Sequence, residues 1–381
     1  MPRALVLAGG GSRGSYHIGV WQALREMNCK IDIVTGTSVG SLNGALVALG
    51  DFDLAKSMWL SINDRDVMDI PEKVFSKQTL EFVRDVAVNG GVSTEPLEMM
   101  ITKFVSEERV RKSDCKYGLV TVNIDTRTPL ELTIDDIPQG RLVDYMLASS
   151  SLAPVLRART IDGEKYIDGG FYDNQPRSLA AKMGATEIIE VDLESIGFDR
   201  PLGKKYSDVK VTSISCRHDL GNIFEFKPEV AAKNIDLGYL DAYRAFDKLD
   251  GVMYAFKKGE INRMYRAFGM KLLERCEVIY ERHPAVKFAA DVYNRTEKRN
   301  IKTVEDKFIA VLEGAMEAAD LYVGEVYTLE NLPKLIKQAK EKQFSGIFDK
   351  LSDDLLIKKL IAKITDNEIK HIYLGMIKDL L

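Results

Sequence analysis

The chain has 381 residues, 57 acidic against 53 basic side chains, a net charge of −4 and an apolar content of 45%. This is ordinary globular composition at a length that predicts one large core with an appendage, or two domains. The balanced charge supplies no cationic field for gripping a phosphate backbone, so no nucleic-acid partner is expected. Cys29, Cys115, Cys216 and Cys276 are too scattered for a disulfide framework or a zinc ribbon.

In chain order, Arg3 to Ala8 reads as a buried strand and Tyr16 to Met27 as a helix with Val20, Trp21, Leu24 and Met27 on one face. Ile31 to Thr35 is the next strand, and Ser38 to Leu49 a helix ending near Gly50. Further strands are predicted at Gly118 to Ile124, Leu130 to Ile134, Glu187 to Asp192 and Val209 to Ile214. Asp162-Gly163 is a two-residue hairpin signal, and a helix runs from near Pro176 to Gly184. The alternation predicts an α/β fold with helices on both faces of a mostly parallel sheet. The Gly/Lys/Asp-rich stretch 197–208 reads as a linker. Beyond about Lys227 the β-type runs vanish, which divides the chain into an α/β domain, 1–226, and a helical region, 227–381. No apolar run reaches the ~18–20 residues of a membrane span, and no leader pattern precedes the first strand. A cytoplasmic protein, at most peripheral to a membrane, is expected.

Two motifs carry chemistry. After the first strand comes Gly9-Gly10-Gly11-Ser12-Arg13-Gly14, which matches the dinucleotide fingerprint GxGxxG. That fingerprint also wants an acid at the end of the second strand, and Asp32 lies at its beginning. The loop's chemistry is more general: backbone amides between strand and helix converge on an anion, whether a phosphate or a developing oxyanion. Gly36-Thr37-Ser38-Val39-Gly40 is a G-x-S-x-G between strand and helix, the context of a nucleophile elbow. The alternative is a serine that caps the helix. Both motifs follow strands joined by one right-handed crossover, so they are expected side by side.

A serine needs a base. Among His17, His218, His283 and His371, only His218, following a strand, is placed to tempt. The other candidate is Asp168, which ends a hairpin strand and is followed by Gly169 and Gly170.

These three motifs, in this order, resemble the patatin-like phospholipases, as do Ala148-Ser149-Ser150 to Pro154 and Asn174 to Pro176. The resemblance covers about residues 3 to 215. It implies a three-layer α/β fold and a Ser38–Asp168 dyad without histidine. It also implies an oxyanion hole from the amides of Gly10 and Gly11, Arg13 shaping the loop or meeting phosphate, and hydrolysis of acyl glycerolipids without a metal or cofactor. A lipid at a membrane or micelle surface is then the partner. A thioesterase, an acyltransferase or a nucleotide-binding protein stays open as the alternative. In the tail, Leu355 to Ile364 shows the apolar face and flanking lysines of an interfacial helix, a pattern that a core-facing helix shares.

Overall fold

The computed structural model describes residues 1–69, 91–297, 299–339 and 366–381. It divides into two compact units, Met1–Ala245 and Phe246–Leu381.

The first unit is built on an eight-stranded sheet. Its strands are β1 Arg3–Leu7, β2 Ile33–Thr37, β3 Lys116–Asn123, β4 Thr128–Thr133, β5 Arg159–Ile161, β6 Glu164–Asp168, β7 Glu187–Asp192 and β8 Lys210–Ser215. The order is β5-β6-β3-β2-β1-β7-β8, with β4 also on β3. The β1–β2, β1–β7, β2–β3 and β7–β8 pairs are parallel, whereas β4, β5 and β6 join antiparallel. A parallel strand covered on both faces must be apolar throughout, and Ala4 to Leu7 are all buried.

The helices are α1 Ser15–Glu26, α2 Val39–Leu49, α3 Phe52–Trp59, α4 Glu95–Phe104, α5 Leu142–Ser149, α6 Arg177–Lys182 and α7 Pro228–Ala245, with single turns at Asp64–Val67 and Glu107–Arg111. Helix α6 covers one face of the sheet, where Ala180 packs with Ala4, Val6, Ile33 and Ile188. Helix α2 covers the other, with Gly44 against Val34 and Tyr117. The hairpin signal sits where it was expected: Asp162 and Gly163 both take positive φ, at 51° and 88°, between β5 and β6.

Two features differ from the expectation. The division falls after Ala245 rather than near Lys227, because α7 packs with α1: Tyr16 Oη donates to Asp241 Oδ2 at 2.7 Å, and Gly238 lies against the Tyr16 carbonyl. Stretch 197–208 is not an interdomain linker but the connection from β7 to β8 within one sheet.

The second unit is not purely helical, which corrects the sequence-based picture. Besides α8 Glu260–Met264, α9 Met270–Arg282, α10 Pro284–Thr296, α11 Val304–Ala318, α12 Leu332–Gln338 and α13 Asp366–Lys378, it carries a small sheet. Leu249–Asp250 pairs antiparallel with Ala255–Lys257, and Val326–Tyr327 pairs parallel with the latter. Strands of two or three residues are too short to show a period of two. Leu355–Ile364 lies outside the described residues. No helix among the described residues is long and apolar enough to cross a membrane.

Candidate active site

Ser38 stands between β2 and α2 with φ 55° and ψ −129°, a conformation that costs a non-glycine residue on the order of 1–3 kcal/mol. The turn is possible because its neighbours lack side chains. A Cβ on Gly36 would come within 2.1 Å of the Gly40 carbonyl oxygen, and one on Gly40 within 2.1 Å of that of Leu7. Ser38 N–H donates to Ser149 Oγ at 3.0 Å, so the end of α5 braces the elbow. The Ser38 side chain makes no capping bond to α2, which disposes of the helix-cap alternative. It opens instead into the cavity that Asp168 also lines, close enough to help lower the Asp168 pKa.

Register explains this meeting. β4 occupies one edge of β3 along residues 118–123, so β2 and β6 must share the other. Thr37, the last residue of β2, faces Val120, while Asp168, the last of β6, faces Thr121. Gly169 then turns under the strand; a Cβ there would lie 2.2 Å from the Val120 carbonyl oxygen. Asp168 is 3% exposed. Burial pushes its carboxyl up to about 6, held back by the Gly170 N–H that donates to it at 2.7 Å and by the nearby Ser38 hydroxyl. Asp168 N–H donates to the Ser151 carbonyl at 2.9 Å. The short run from Ser149 to Ser151 therefore holds both ends of the pair.

The glycine loop lies beside the elbow. Gly9 N–H donates to Asn174 Oδ1 at 3.1 Å, and Ser195 Oγ donates to the Gly9 carbonyl. Gly11, at φ 56°, passes so close to Ile223 that a Cβ would sit 2.1 Å from its carbonyl oxygen. Ser12 N–H donates to that same oxygen at 2.9 Å. The amides of Gly10 and Gly11 have no acceptor among the described residues, and both residues line the cavity into which Ser38 opens.

Arg13 points elsewhere. Its guanidinium donates to the carbonyls of Gly221, Leu193 and Glu194 at 2.8, 3.2 and 2.9 Å, tying the loop to the segments after β7 and β8. Of the two roles left open for it, the geometry is that of shaping the loop. Gly14 brings α1 close to α2, with Val39 Cγ2 only 2.5 Å from where a Cβ would be.

The cavity has a volume of about 660 Å³, within the range of small-molecule sites. Ser38, Asp168, Asn174 and the glycine loop form its polar floor, and side chains such as Leu46, Met58, Ile101, Phe104 and Met146 its walls. A hydroxyl and a buried carboxylate in one cavity, beside unpaired backbone donors and among apolar walls, are suited to acyl transfer to or from a hydrophobic substrate.

Neither His218 nor His17 lines this cavity. His17 is buried on α1 with Nδ1 3.2 Å from Asn43 Nδ2, and burial alone lowers its pKa to about 3. Asp32 accepts a hydrogen bond from Arg3 N–H at 3.0 Å, at the start of β2 and far from the glycine loop's end of the sheet. Sequence reasoning missed Asn43, which bonds the Gly14 carbonyl at 2.9 Å and accepts from Trp59 Nε1 at 3.0 Å. An asparagine within a helical pattern carries no local signal for such a role.

The family model described as patatin-like phospholipase matches residues 5–181. The chain is 31% identical over 261 residues to "Lysophospholipase NTE1" of Meyerozyma guilliermondii, which spans 66% of this chain and 17% of that relative. It is 32% identical over 196 residues to "Patatin-like phospholipase domain-containing protein 6" of Mus musculus, spanning 50% and 13% respectively. The chain thus matches less than a fifth of the length of these relatives. Among solved structures, that of VipD from Legionella pneumophila aligns with a TM-score of 0.40 and 14% identity, covering 99% of this chain and 91% of that one. Residues 5–181 therefore form a domain of the patatin-like phospholipase family.

Proposed function

We propose that the chain is a serine esterase that hydrolyses acyl ester bonds of glycerolipids, as a phospholipase A or a lysophospholipase, through a Ser38–Asp168 dyad. The observation that carries this is Ser38 at a strained elbow that opens into an apolar cavity, which the buried Asp168 also lines. The name lysophospholipase borne by the fungal relatives points to the same substrate class.

In the first step Ser38 Oγ attacks the ester carbonyl while its proton passes to Asp168. The carbonyl oxygen becomes negative and is met by the amides of Gly10 and Gly11. Each donor of this kind is worth ~2.7–4 kcal/mol in the barrier. Collapse breaks the ester C–O bond, and the leaving alkoxide takes the proton from Asp168. In the second step water gives its proton to Asp168 and its oxygen to the acyl carbon. The acid departs and Ser38 recovers its proton. A carboxyl raised to about 6 suits this exchange better than an ordinary aspartate, since its proton affinity lies nearer to neutrality.

A fluorophosphonate probe should label Ser38 and no other serine, and lipidomic profiling of products should show loss of one acyl chain from a glycerolipid. Undiminished labelling or lipid turnover by Ser38→Ala would refute the proposal.

A further inference from the structure

The connection between β7 and β8 carries apolar side chains that point out of the protein. Ile196 is 94% exposed, Phe198 66% and the nearby Phe171 43%. All three also line the cavity that holds Ser38 and Asp168, so the same side chains contribute to its wall and to the outer surface. Exposed apolar residues scattered singly are unremarkable; three on one rim, leading into an apolar cavity, are not.

The rim is pinned. Phe198 N–H donates to the Gly170 carbonyl at 2.9 Å, the Phe198 carbonyl accepts from Asn174 N–H at 2.7 Å, and Arg200 N–H donates to Asp173 Oδ1 at 3.3 Å. The Arg200 guanidinium stacks 4.4 Å above the Tyr172 ring. These bonds come from the turn that carries Asp168, so the main chain holds the apolar tips outward. The ordering cost of docking them is largely met in advance.

Charge selects the kind of surface. Between residues 194 and 208, Glu194, Asp199 and Asp208 are balanced by Arg200, Lys204 and Lys205, and the whole chain carries −4. Nothing there attracts an anionic surface, whereas apolar tips on a neutral segment favour insertion between uncharged or zwitterionic headgroups. We infer that the rim of Phe171, Ile196 and Phe198 docks into the face of a zwitterionic phospholipid bilayer and sets the cavity mouth against its acyl chains. The inference rests on the acyl-hydrolase proposal and adds which face meets the lipid.

The test uses the full chain carrying Ser38→Ala, sedimented with phosphatidylcholine vesicles, so that binding is read without turnover. Adding Ile196→Ser and Phe198→Ser is expected to weaken partition by ~tenfold per residue. Phe288→Ser, at an exposed position of the second unit, is expected to leave it unchanged. Raising the salt should have little effect, and Ile196→Trp should show a blue shift in emission when vesicles are added. The inference is overturned if the parent does not sediment or if the double variant sediments equally well. Absence of the blue shift overturns it too, as does binding that requires phosphatidylglycerol and disappears in salt. Failure on any of these counts leaves the hydrolase proposal standing, while intact vesicle binding without probe labelling of Ser38 would remove the hydrolase proposal alone.

Discussion

Thr37 and Asp168 are set against consecutive residues of β3, Val120 and Thr121, on the same edge of that strand. Two strands that run toward each other therefore end facing one another, and the residue after Thr37 is Ser38. Sheet hydrogen bonding, rather than a flexible loop, sets the separation of hydroxyl and carboxylate. A site supported this way is positioned before substrate arrives.

Asp168 accepts a proton only when ionised, and its carboxyl is pushed up to about 6 by burial. With the dyad at work, kcat/KM on a short-chain ester should rise as the pH passes upward through about 6 and level off above it. Asp168→Asn should lower it by ~10²–10⁴-fold and flatten the curve. A pH–rate profile of the native enzyme that is level from acid to neutral pH would contradict this.

Asp173 is a second buried carboxylate, raised to about 7 chiefly by burial; Oδ1 accepts from the amides of Gln175 and Arg200, and Oδ2 has no hydrogen-bond partner among the described residues. A carboxyl whose pKa is higher in the folded chain favours folding in its neutral form. That contribution is full below its ordinary value and is lost as the pH rises through about 7. Asp173→Asn keeps the Oδ1 acceptor and removes the charge. It should stabilise the protein by about 1–3 kcal/mol at mildly alkaline pH and by little near pH ~4, measured by urea unfolding at both.

Asn174 ties the glycine loop to the Asp168 turn through Gly9 N–H at 3.1 Å. Asn174→Ala leaves that amide only its longer bond to the Asn174 carbonyl, at 3.3 Å, and the Gly10 and Gly11 donors less well aimed. A loss of ~10–100-fold in kcat with a smaller change in KM is expected, and Asn174→Asp should recover part of it by accepting from Gly9 again. A change confined to KM would show that the side chain serves binding alone.

In the second unit Glu313 is fully buried against Arg299, which is 4% exposed, with their charged atoms 2.9 Å apart. The Glu313 carboxylate also accepts from the amides of Val252, Met253 and Tyr254 at 2.7, 2.8 and 3.2 Å. Glu313→Ala should cost about 3–5 kcal/mol, because it removes the counter-charge of a buried guanidinium and an acceptor of three amides. Hydrogen exchange should speed up at residues 252–254, and unchanged exchange there would deny the carboxylate this role.

Much of the first unit was legible before any coordinates. The elements flanking the two glycine motifs lie where apolar runs and periodicity placed them, within a residue or two, because buried parallel strands and amphipathic helices leave strong local patterns. Helices α3, α4 and α5 were not foreseen. Their burial is decided by the cavity and sheet they pack on, which no window of neighbouring residues contains. The small sheet of the second unit escaped for a similar reason, its strands being two or three residues long.

The order and chemistry of the motifs were properties of the sequence alone: glycines where a Cβ would collide, a serine between strand and helix, an aspartate before two glycines. What the chain order could not state is that β4 takes one edge of β3 and leaves the other to both β2 and β6, which is what brings Asp168 to Ser38. Nor could it show that Arg13 braces three carbonyls, or that the apparent linker supplies the outer rim of the cavity. Strand pairing and side-chain exposure are set by residues far apart in the chain, so they come into being only once the whole sheet has assembled.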